Sequence, residues 1–488
     1  MTAELVERYR VAILGSGFSG LAMAIRLKQA GIHDFVVLEK GDDVGGTWRE
    51  NTYPGAACDV PSHLYCFSFE PKSDWSRAFA PQAEILAYLQ HCADKYGVRP
   101  HVRFGTRVVS ADFDDATGRW LVRAEDGRAF EVDFLVSGKG GLHVPMIPDF
   151  KGRERVEVPA FHSAEWDHAL DLTNQRVAVI GSGASAIQIV PALASKVARV
   201  DYWQRTPSWV LPRRDYVYSE QTKRRFAEVP ALAWLHRESI YWRLEPTALF
   251  FTKYPDVLKV GERIARRHII KHVRDPALRE KLTPKYRLGC KRALLSDEYY
   301  QAVTRPNVDV ITDGLRELRA RSIVDAQGRE REVDAIVYAT GFRVNEYMHG
   351  LKVRGVGGRG LEKDWSEGAS AYLGITVAGY PNLFLLMGPN TGLGHNSMVF
   401  MIESQVAYVI DAIKTLIARG LRVLDVQRAA QQRFDDEVQA RLTRTVWATG
   451  CQSWYLGENG RNSTTWPGFT FEYRARTKRF DAENYALR

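Results

Sequence analysis

Short apolar runs that lead into a glycine-rich turn and then into a helical pattern occur twice in this chain. The first run, Val11 to Leu14, precedes apolar residues at helical spacing, and the second run, at residues 176–180, precedes a similar stretch. Such a succession predicts a buried strand, a tight turn and an amphipathic helix. The sequence therefore predicts two units of the α/β class, and this pair is the only internal repeat that it contains.

The first unit has the spacing GxGxxG, with Gly15, Gly17 and Gly20 between the strand and the helix. Glycines placed in this way permit the turn, let the backbone approach a pyrophosphate and let the helix pack closely on the strand. The next strand, DFVVLE, ends at Glu39, where a carboxylate suits a ribose diol and would repel a 2′-phosphate. We expect this unit to bind FAD or NAD rather than NADP.

The second unit repeats the pattern at Gly181 and Gly183, with Ala186 in the third position. Its next strand, ARVDYWQRT, ends at Arg205 instead of at an acid, and an arginine there can pair with a 2′-phosphate. We expect this unit to prefer NADPH to NADH. Two nucleotide sites in one chain imply electron transfer between two cofactors, and a flavin is the usual acceptor of hydride from a nicotinamide.

A chain of 488 residues is too long for one compact core, and its pattern indicates how it is divided. We predict two Rossmann-like dinucleotide-binding domains and a helical, aromatic-rich insertion within the second. The predicted limits are 1–143 and 373–488 for the FAD domain, 151–212 and 287–372 for the NADPH domain, and 213–286 for the insertion.

The net charge of +9 is compatible with nucleic acid or anionic lipid as a partner. However, the basic residues are spread widely, and the densest stretches, LPRRDYVYSEQTKRRF and RIARRHIIKHVR, interleave apolar residues at helical spacing. We therefore assign the charge to solvated helix faces and phosphate-bearing cofactors, and expect no nucleic-acid partner.

The five cysteines are few and form no CxxC pair, so we expect neither a disulfide framework nor a zinc or other metal site. This fits a reducing compartment, and we expect a cytoplasmic protein. The charged N-terminus has no apolar signal core. The sequence contains no run of 18 apolar residues, so we expect no membrane span.

The stretch GGTWRENTYPGAACD is the most specific motif of the chain. It fills every position of the pattern [AG]GxWxxxx[FY]P[GM]xxxD, with Gly45, Gly46, Trp48, Tyr53, Pro54, Gly55 and Asp59. With this motif the chain resembles the flavin-dependent class B monooxygenases, and most closely the type I Baeyer–Villiger monooxygenases, over nearly its whole length.

The second signature of that family, FxGxxxHxxxW[PD], is only partly kept. His162, Trp166 and Asp167 have the right spacing, but Val156 and Val158 replace the usual Phe and Gly. Simple flavin monooxygenases, which oxidise nitrogen and sulfur, carry Tyr in place of this Trp, so the motif favours the Baeyer–Villiger branch. We expect His162 to act in the linker between the domains, and the two valines leave open how that linker packs.

The resemblance also implies roles for residues that no local sequence motif marks. Lys291 would contact the 2′-phosphate, Arg292 would lie near the flavin ring, and Asp59 would orient Arg292. Gly388 to Asn390 resembles the last flavin-contacting segment, and SWYLGENGRNSTTWPG resembles the substrate-side loop, although its tryptophans, Trp454 and Trp466, are equally compatible with a core. The predicted catalytic residues are Arg292 and Asp59, and the predicted cofactor contacts are Gly15, Gly17, Phe18, Ser19, Gly20, Glu39, Lys40, Gly46, Thr47, Trp48, Asp59, Val60, Tyr65, Gly181, Gly183, Ala184, Ser185, Arg205, Thr206, Lys291, Arg292 and Asn390.

The resemblance implies an FAD- and NADPH-dependent monooxygenase that converts ketones to esters or lactones with O2 through a flavin C4a-peroxide. That peroxide is anionic, and a fixed guanidinium can stabilise it. Three alternatives stay open: a heteroatom-oxidising flavin monooxygenase, a disulfide reductase, which would need a redox cysteine pair, and a basic nucleic-acid-binding protein with vestigial nucleotide folds. We expect a monomer or weak oligomer, and the sequence does not identify the ketone.

Overall fold

The structure is a computed structural model that describes residues 6–451, 453–457 and 459–488. The strands are β1 (Val6–Leu14), β2 (Phe35–Leu38), β3 (Val102–Arg103), β4 (Val108–Asp114), β5 (Arg119–Ala124), β6 (Ala129–Ser137), β7 (Ala160–His162), β8 (Arg176–Ile180), β9 (Arg199–Trp203), β10 (Val210–Leu211), β11 (Leu294–Leu295), β12 (Val308–Ile311), β13 (Leu315–Arg319), β14 (Ser322–Asp325), β15 (Glu330–Glu332), β16 (Ala335–Tyr338), β17 (Lys352–Arg354), β18 (Leu383–Leu385), β19 (Leu424–Val426) and β20 (Tyr485–Leu487). The helices are α1 (Phe18–Gln29), α2 (Thr47–Glu50), α3 (Gln82–Lys95), α4 (Ala184–Ala194), α5 (Glu220–Glu228), α6 (Pro230–Leu244), α7 (Ala248–Thr252), α8 (Leu258–His272), α9 (Pro276–Leu282), α10 (Tyr299–Ala302), α11 (Leu361–Asp364), α12 (Met398–Arg419), α13 (Arg428–Leu442) and α14 (Thr470–Arg476).

The first sheet has the order β17-β4-β5-β6-β1-β2-β3, and β18 also pairs with β6. The central strand β1 runs parallel to β2 and β6. Its last four residues, Val11 to Leu14, are at most 3% exposed. A parallel strand covered on both faces must be apolar throughout, and this explains the unbroken run in the sequence.

The second sheet has the order β12-β9-β8-β16-β7, and all of its strands are parallel. The turn from β8 into α4 repeats the turn from β1 into α1. The predicted fold class, two Rossmann-like α/β units, is therefore confirmed. β17 pairs with β4, so the chain has returned to the first sheet by residue 352, ahead of residue 373 where the sequence placed that return. The remaining domain limits stay predictions.

The segment at 213–286 contains helices α5 to α9. Helix α6 packs on the first unit, where the Tyr241 ring stacks on Phe400 with centroids 5.2 Å apart. Arg237, on the same helix, donates to the His63 carbonyl oxygen at 2.7 Å. Within the described ranges, no helix is long and apolar enough to cross a membrane, and no cluster of His, Cys, Asp or Glu is placed to hold a metal ion.

A disulfide bond joins Cys290 to Cys451, which are 161 residues apart in sequence. The expectation of no disulfide was wrong, because CxxC spacing reports only on local pairs and this pair forms when a C-terminal loop folds against the turn before Lys291. Cys58, Cys66 and Cys92 are buried thiols. The bond thus fixes the C-terminal loop beside the residues predicted to be catalytic.

Reducing this bond is expected to lower the free energy of unfolding by about 2–4 kcal/mol, because the crosslink restricts the unfolded chain. Thermal unfolding with and without a thiol reductant measures the effect. Cys451→Ser should lower the melting temperature to a similar extent and abolish the response to reductant. An unchanged melting temperature on reduction of the parent protein would contradict the stabilising role.

Candidate active site

The first glycine turn is tightly packed against its neighbours. Gly15 has φ +89°, and a Cβ there would lie 3.0 Å from the Gly138 carbonyl oxygen. A Cβ at Gly20 would lie 1.8 Å from the Gly15 carbonyl oxygen, so α1 can approach β1 this closely only with glycine. Glu39, at the end of β2, accepts hydrogen bonds from the backbone N and the Oγ of Ser16 at 2.8 and 2.7 Å. The acid is thereby fixed beside the turn.

The second glycine of GGTW meets the first turn directly. Gly46 has φ +52°, and a Cβ there would lie 2.9 Å from the Gly17 Cα. Two backbone segments therefore touch without side chains between them. Beyond this contact, Trp48 donates from its indole nitrogen to the Tyr65 hydroxyl at 3.2 Å. The result is a wall of backbone and aromatic rings suited to a flat ring system.

The Tyr-Pro-Gly turn connects the two units. The Tyr53 hydroxyl donates to the side-chain carbonyl of Gln188 on α4 at 2.8 Å, and the Gln188 amide donates to the Ala57 carbonyl oxygen at 3.0 Å. Burial raises the pKa of Tyr53 to about 12, so its hydroxyl keeps its proton. Gly55 has φ +85°, and a Cβ there would lie 2.7 Å from the backbone carbonyl oxygen of Gln188. The motif therefore positions one nucleotide unit against the other.

Asp59, at the end of the same motif, forms a bidentate ion pair with Arg292. Arg292 Nη2 donates to the two carboxylate oxygens at 2.8 and 2.7 Å, and Nε donates to Oδ2 at 3.0 Å. The two side chains remain 37% and 26% exposed towards the cavity. The charge of Asp59 raises the pKa of Arg292, which therefore stays protonated at any physiological pH. A permanent cation is held at a fixed orientation.

Two further cations lie at the second glycine turn. Arg205 follows β9, and Lys291 precedes the catalytic candidate Arg292. Partial burial and the positive charge of Arg205 lower the pKa of Lys291. An anion placed between two cations relieves the electrostatic repulsion between them, so this arrangement fits a phosphate group.

One cavity of 1230 Å³ connects the two glycine turns, and the Asp59–Arg292 pair lies in its wall. Gly20 and Asn390 are the predicted cofactor contacts that are missing from its described lining. The predicted contacts that do line it are Gly15, Gly17, Phe18, Ser19, Glu39, Lys40, Gly46, Thr47, Trp48, Asp59, Val60, Tyr65, Gly181, Gly183, Ala184, Ser185, Arg205, Thr206, Lys291 and Arg292.

Asn390 lies beside the cavity wall but not in it, and its predicted cofactor contact stays a prediction. It is 3% exposed and adopts φ +58°. Its side-chain amide donates to the carbonyl oxygens of Asn462 and Thr465 at 2.9 and 3.2 Å. Asn390 thus fixes the C-terminal loop, while the neighbouring Gly388 and Thr391 reach the cavity.

The linker motif lies behind the cavity. His162 is buried, makes a 2.9 Å hydrogen bond from Nε2 to the Gly341 carbonyl oxygen and accepts from the Ala164 backbone N through Nδ1. Burial lowers its pKa to about 4, so it is a neutral hydrogen-bonding residue. The Trp166 ring packs edge-on against Phe161. Asp167 accepts from the Ala169 backbone N at 2.9 Å.

The two valines of the incomplete signature belong to an apolar cluster. Val158 is 8% exposed and packs with Ile180, Ile336 and Tyr338, and Val156 lies against the same cluster. Apolar side chains at both positions therefore attach the linker to the second sheet. This part of the linker is packed in the same way as a domain core.

Other residues of the cavity wall escaped the sequence reasoning. Gln188 and Asn396 line it but belong to no recognised spacing. Trp454 also lines it and is 41% exposed, whereas Trp466 is 1% exposed and stacks on Phe434. Trp466 therefore belongs to a core, whereas the substrate-side role of Trp454 stays a prediction.

The site fits two dinucleotides. The glycine turns leave backbone amides open at helix N-termini, where phosphates bind. Each turn lies in the same cavity as the residue predicted to recognise its nucleotide, Glu39 in one unit and Arg205 in the other. This fold and this cavity, with a permanent cation in the cavity wall, define a dinucleotide-dependent oxidoreductase.

Comparison with known proteins places the chain within that class. The family model for flavin-binding monooxygenase-like proteins matches residues 8–232. A Baeyer–Villiger monooxygenase of Pseudomonas aeruginosa is 50% identical over 100% of this chain and 93% of its own length. A Baeyer–Villiger monooxygenase of Streptomyces coelicolor is 48% identical over 99% of this chain and 93% of its own length.

Solved structures agree. A steroid monooxygenase with bound NADP superposes with a TM-score of 0.88 at 31% identity, covering 98% of this chain and 99% of that one. Cyclohexanone monooxygenase from Rhodococcus sp. Phi1 with bound NADP⁺ superposes with a TM-score of 0.89 at 26% identity. The match covers 99% of this chain and 100% of that one. The chain belongs to the Baeyer–Villiger monooxygenase family.

Proposed function

We propose that this protein binds FAD at the first glycine turn and NADPH at the second, and oxidises ketones to esters or lactones with dioxygen. The observation that carries the proposal is the Asp59–Arg292 ion pair in the wall of a cavity that both turns line. When bound, the flavin supplies the reducing chemistry that activates dioxygen.

The residues of the chain provide orientation and charge. Asp59 accepts from Nε and Nη2 of Arg292, so the Nη1 end of the planar guanidinium is the part that can meet a negatively charged oxygen in the cavity. A cation fixed beforehand needs no reorganisation as negative charge develops. Tyr53 and Gln188 hold the two nucleotide units in contact while this happens.

Oxidation of ketones needs a nucleophilic, anionic oxygen, whereas oxidation of amines or sulfides needs a protonated, electrophilic one. A permanent cation favours the anion, so the Arg292 geometry supports ketone oxidation as the main reaction. One of the solved structures that share the fold is named as a cyclohexanone monooxygenase, and cyclohexanone is a ketone. We propose ketones and O2 as the substrates, and a monomer or weak oligomer as the working form.

The test is a panel of cyclic, linear and aryl ketones together with one sulfide, each incubated with FAD, NADPH and the protein under air. We expect esters or lactones from at least one ketone, and less sulfoxide than ester. Sulfoxide as the main product with no ester from any ketone would favour the heteroatom-oxidising alternative.

Replacing Arg205 with alanine is expected to raise the KM for NADPH about tenfold or more, with little change for NADH, since only the phosphate contact is lost. Steady-state oxidation of both nucleotides measures this. Arg305→Ala, at an exposed position outside the cavity lining, removes the same charge and should change neither KM. Equal use of NADPH and NADH by the parent protein would contradict the assignment.

A further inference from the structure

The segment at 213–286 holds most of the large apolar side chains that the described part of the protein exposes. The described residues include 19 large apolar side chains that are exposed, and 12 of them fall in this segment of 74 residues. Contiguous exposed apolar surface marks an interaction site, whereas scattered single residues do not. The segment therefore has the composition of a binding surface.

Helix α6 presents one apolar face outward. Leu232, Leu235 and Trp242 lie at i, i+3 and i+10, on the same side of the helix, and are 42%, 54% and 56% exposed. The buried residues of α6, Ile240 and Tyr241, point towards the first unit.

The apolar face continues onto a second element. The Trp242 ring lies 6.3 Å from the ring of Phe471 at the start of α14, which is 44% exposed. A surface shared by two elements does not arise from one poorly packed helix.

Helix α8 combines apolar and basic residues on its exposed side. Val260 and Ile264 are 52% and 40% exposed, and Arg263, Arg267 and Lys271 are exposed on the same side. A basic amphipathic helix of this kind is typical of proteins that bind a membrane surface.

The charge of the chain is concentrated in the same segment. Residues 213–286 contain 17 lysines and arginines against nine aspartates and glutamates, a net charge of +8, while the whole chain carries +9. The remainder of the protein is therefore close to neutral, and the even spread that we inferred along the sequence does not hold for net charge. Long-range attraction to an anionic surface would orient this segment towards it.

We propose that the outer faces of α6 and α8, together with Phe471, bind peripherally to an anionic lipid bilayer. Tryptophan and leucine enter the interface between headgroups and acyl chains, while arginine and lysine meet the lipid phosphates. A second copy of the chain is disfavoured as the binding partner, because a dimer through this segment would bring together two segments that each carry a net charge of +8. A nucleic acid would use the arginines but not the exposed leucine, valine and isoleucine.

The first measurement is co-sedimentation of the FAD-loaded full chain with vesicles. We expect binding to vesicles of phosphatidylcholine mixed equally with phosphatidylglycerol, weaker binding as salt is raised, and little binding to phosphatidylcholine alone. Equal binding to both vesicle types, or none to either, would overturn the proposal.

Variants then locate the surface. The double variant Leu235→Ser with Trp242→Ser should lower the vesicle partition coefficient about tenfold or more, because two large apolar side chains no longer enter the interface. Arg263→Glu with Arg267→Glu should abolish binding to the anionic vesicles. Ile417→Ser, an exposed apolar position on α12 that is 44% exposed, is the matched control and should bind as the parent does.

Each variant is also assayed for NADPH oxidation in solution and for its melting temperature, so that a misfolded protein is recognised. Unchanged vesicle binding by both double variants would place the lipid contact elsewhere and overturn the proposal. A concentration-dependent dimer of the parent that Leu235→Ser with Trp242→Ser abolishes, without vesicle binding, would assign the surface to a second copy instead.

Discussion

Replacing Arg292 with alanine is expected to separate NADPH oxidation from ester formation. Hydride transfer requires only that the two cofactor rings stack, whereas delivery of an anionic oxygen requires a cation beside it. The variant should still oxidise NADPH, release hydrogen peroxide, and form ester about 10²–10³ times more slowly than the parent. Stopped-flow absorbance follows flavin reduction, and product analysis gives the ester and peroxide yields.

Three companion variants define the role of this cation. Arg292→Lys should restore only part of the ester yield, because an ammonium cannot make the planar, two-point contact with Asp59. Asp59→Ala should give a milder loss, since it orients the arginine without replacing it. Arg287→Ala is the matched control, because Arg287 pairs with Asp256 and does not line the cavity. Parental ester yield from Arg292→Ala would show that the catalytic cation lies elsewhere.

Gly15→Val is expected to yield a colourless protein. The turn has φ +89°, a conformation that a β-branched residue adopts only with strain, and its Cβ would lie 3.0 Å from the Gly138 carbonyl oxygen. The side chain would also occupy the space where the pyrophosphate of FAD is proposed to approach. Visible absorbance of the purified variant, compared with total protein, measures the FAD that it retains.

Gly31→Val provides the matched control for strain. Gly31 has a similar φ of +76°, but a Cβ there would meet no other described atom within 4 Å. This variant should keep its yellow colour, even if its melting temperature falls slightly. Stoichiometric FAD in Gly15→Val would mean that the first unit is assigned wrongly, and loss of FAD from both variants would point to backbone strain instead of crowding.

The sequence predicted the parts of the fold that depend on neighbouring residues. The strand, turn and helix around Gly15 follow from apolar periodicity and from glycine's tolerance of positive φ, both of which are local. Asp59 and Arg292 are 233 residues apart, so no local rule could join them. Their pairing was predicted only through the resemblance, and the structure gives it as a bidentate contact.

The features that the sequence could not predict are contacts between segments that are distant in sequence. The Cys290–Cys451 bond, the contact of Tyr53 with Gln188 and the pairing of β17 with β4 all join segments that are far apart in sequence. The bond from Asn390 to the C-terminal loop is of the same kind, because that loop is about 70 residues further on. The apolar residues of α6 have helical spacing, and only the fold shows that they face outward.

The central claim is that one atom of dioxygen enters a carbon–carbon bond beside a ketone carbonyl. It is tested most directly by supplying ¹⁸O₂ to the FAD-loaded protein with NADPH and a ketone that it accepts, and by mass spectrometry of the product. The account predicts one ¹⁸O atom in the ester or lactone, at the bridging oxygen, and a loss of that product in Arg292→Ala. An ester whose added oxygen comes from water, or dioxygen recovered only as hydrogen peroxide with every ketone, would contradict it.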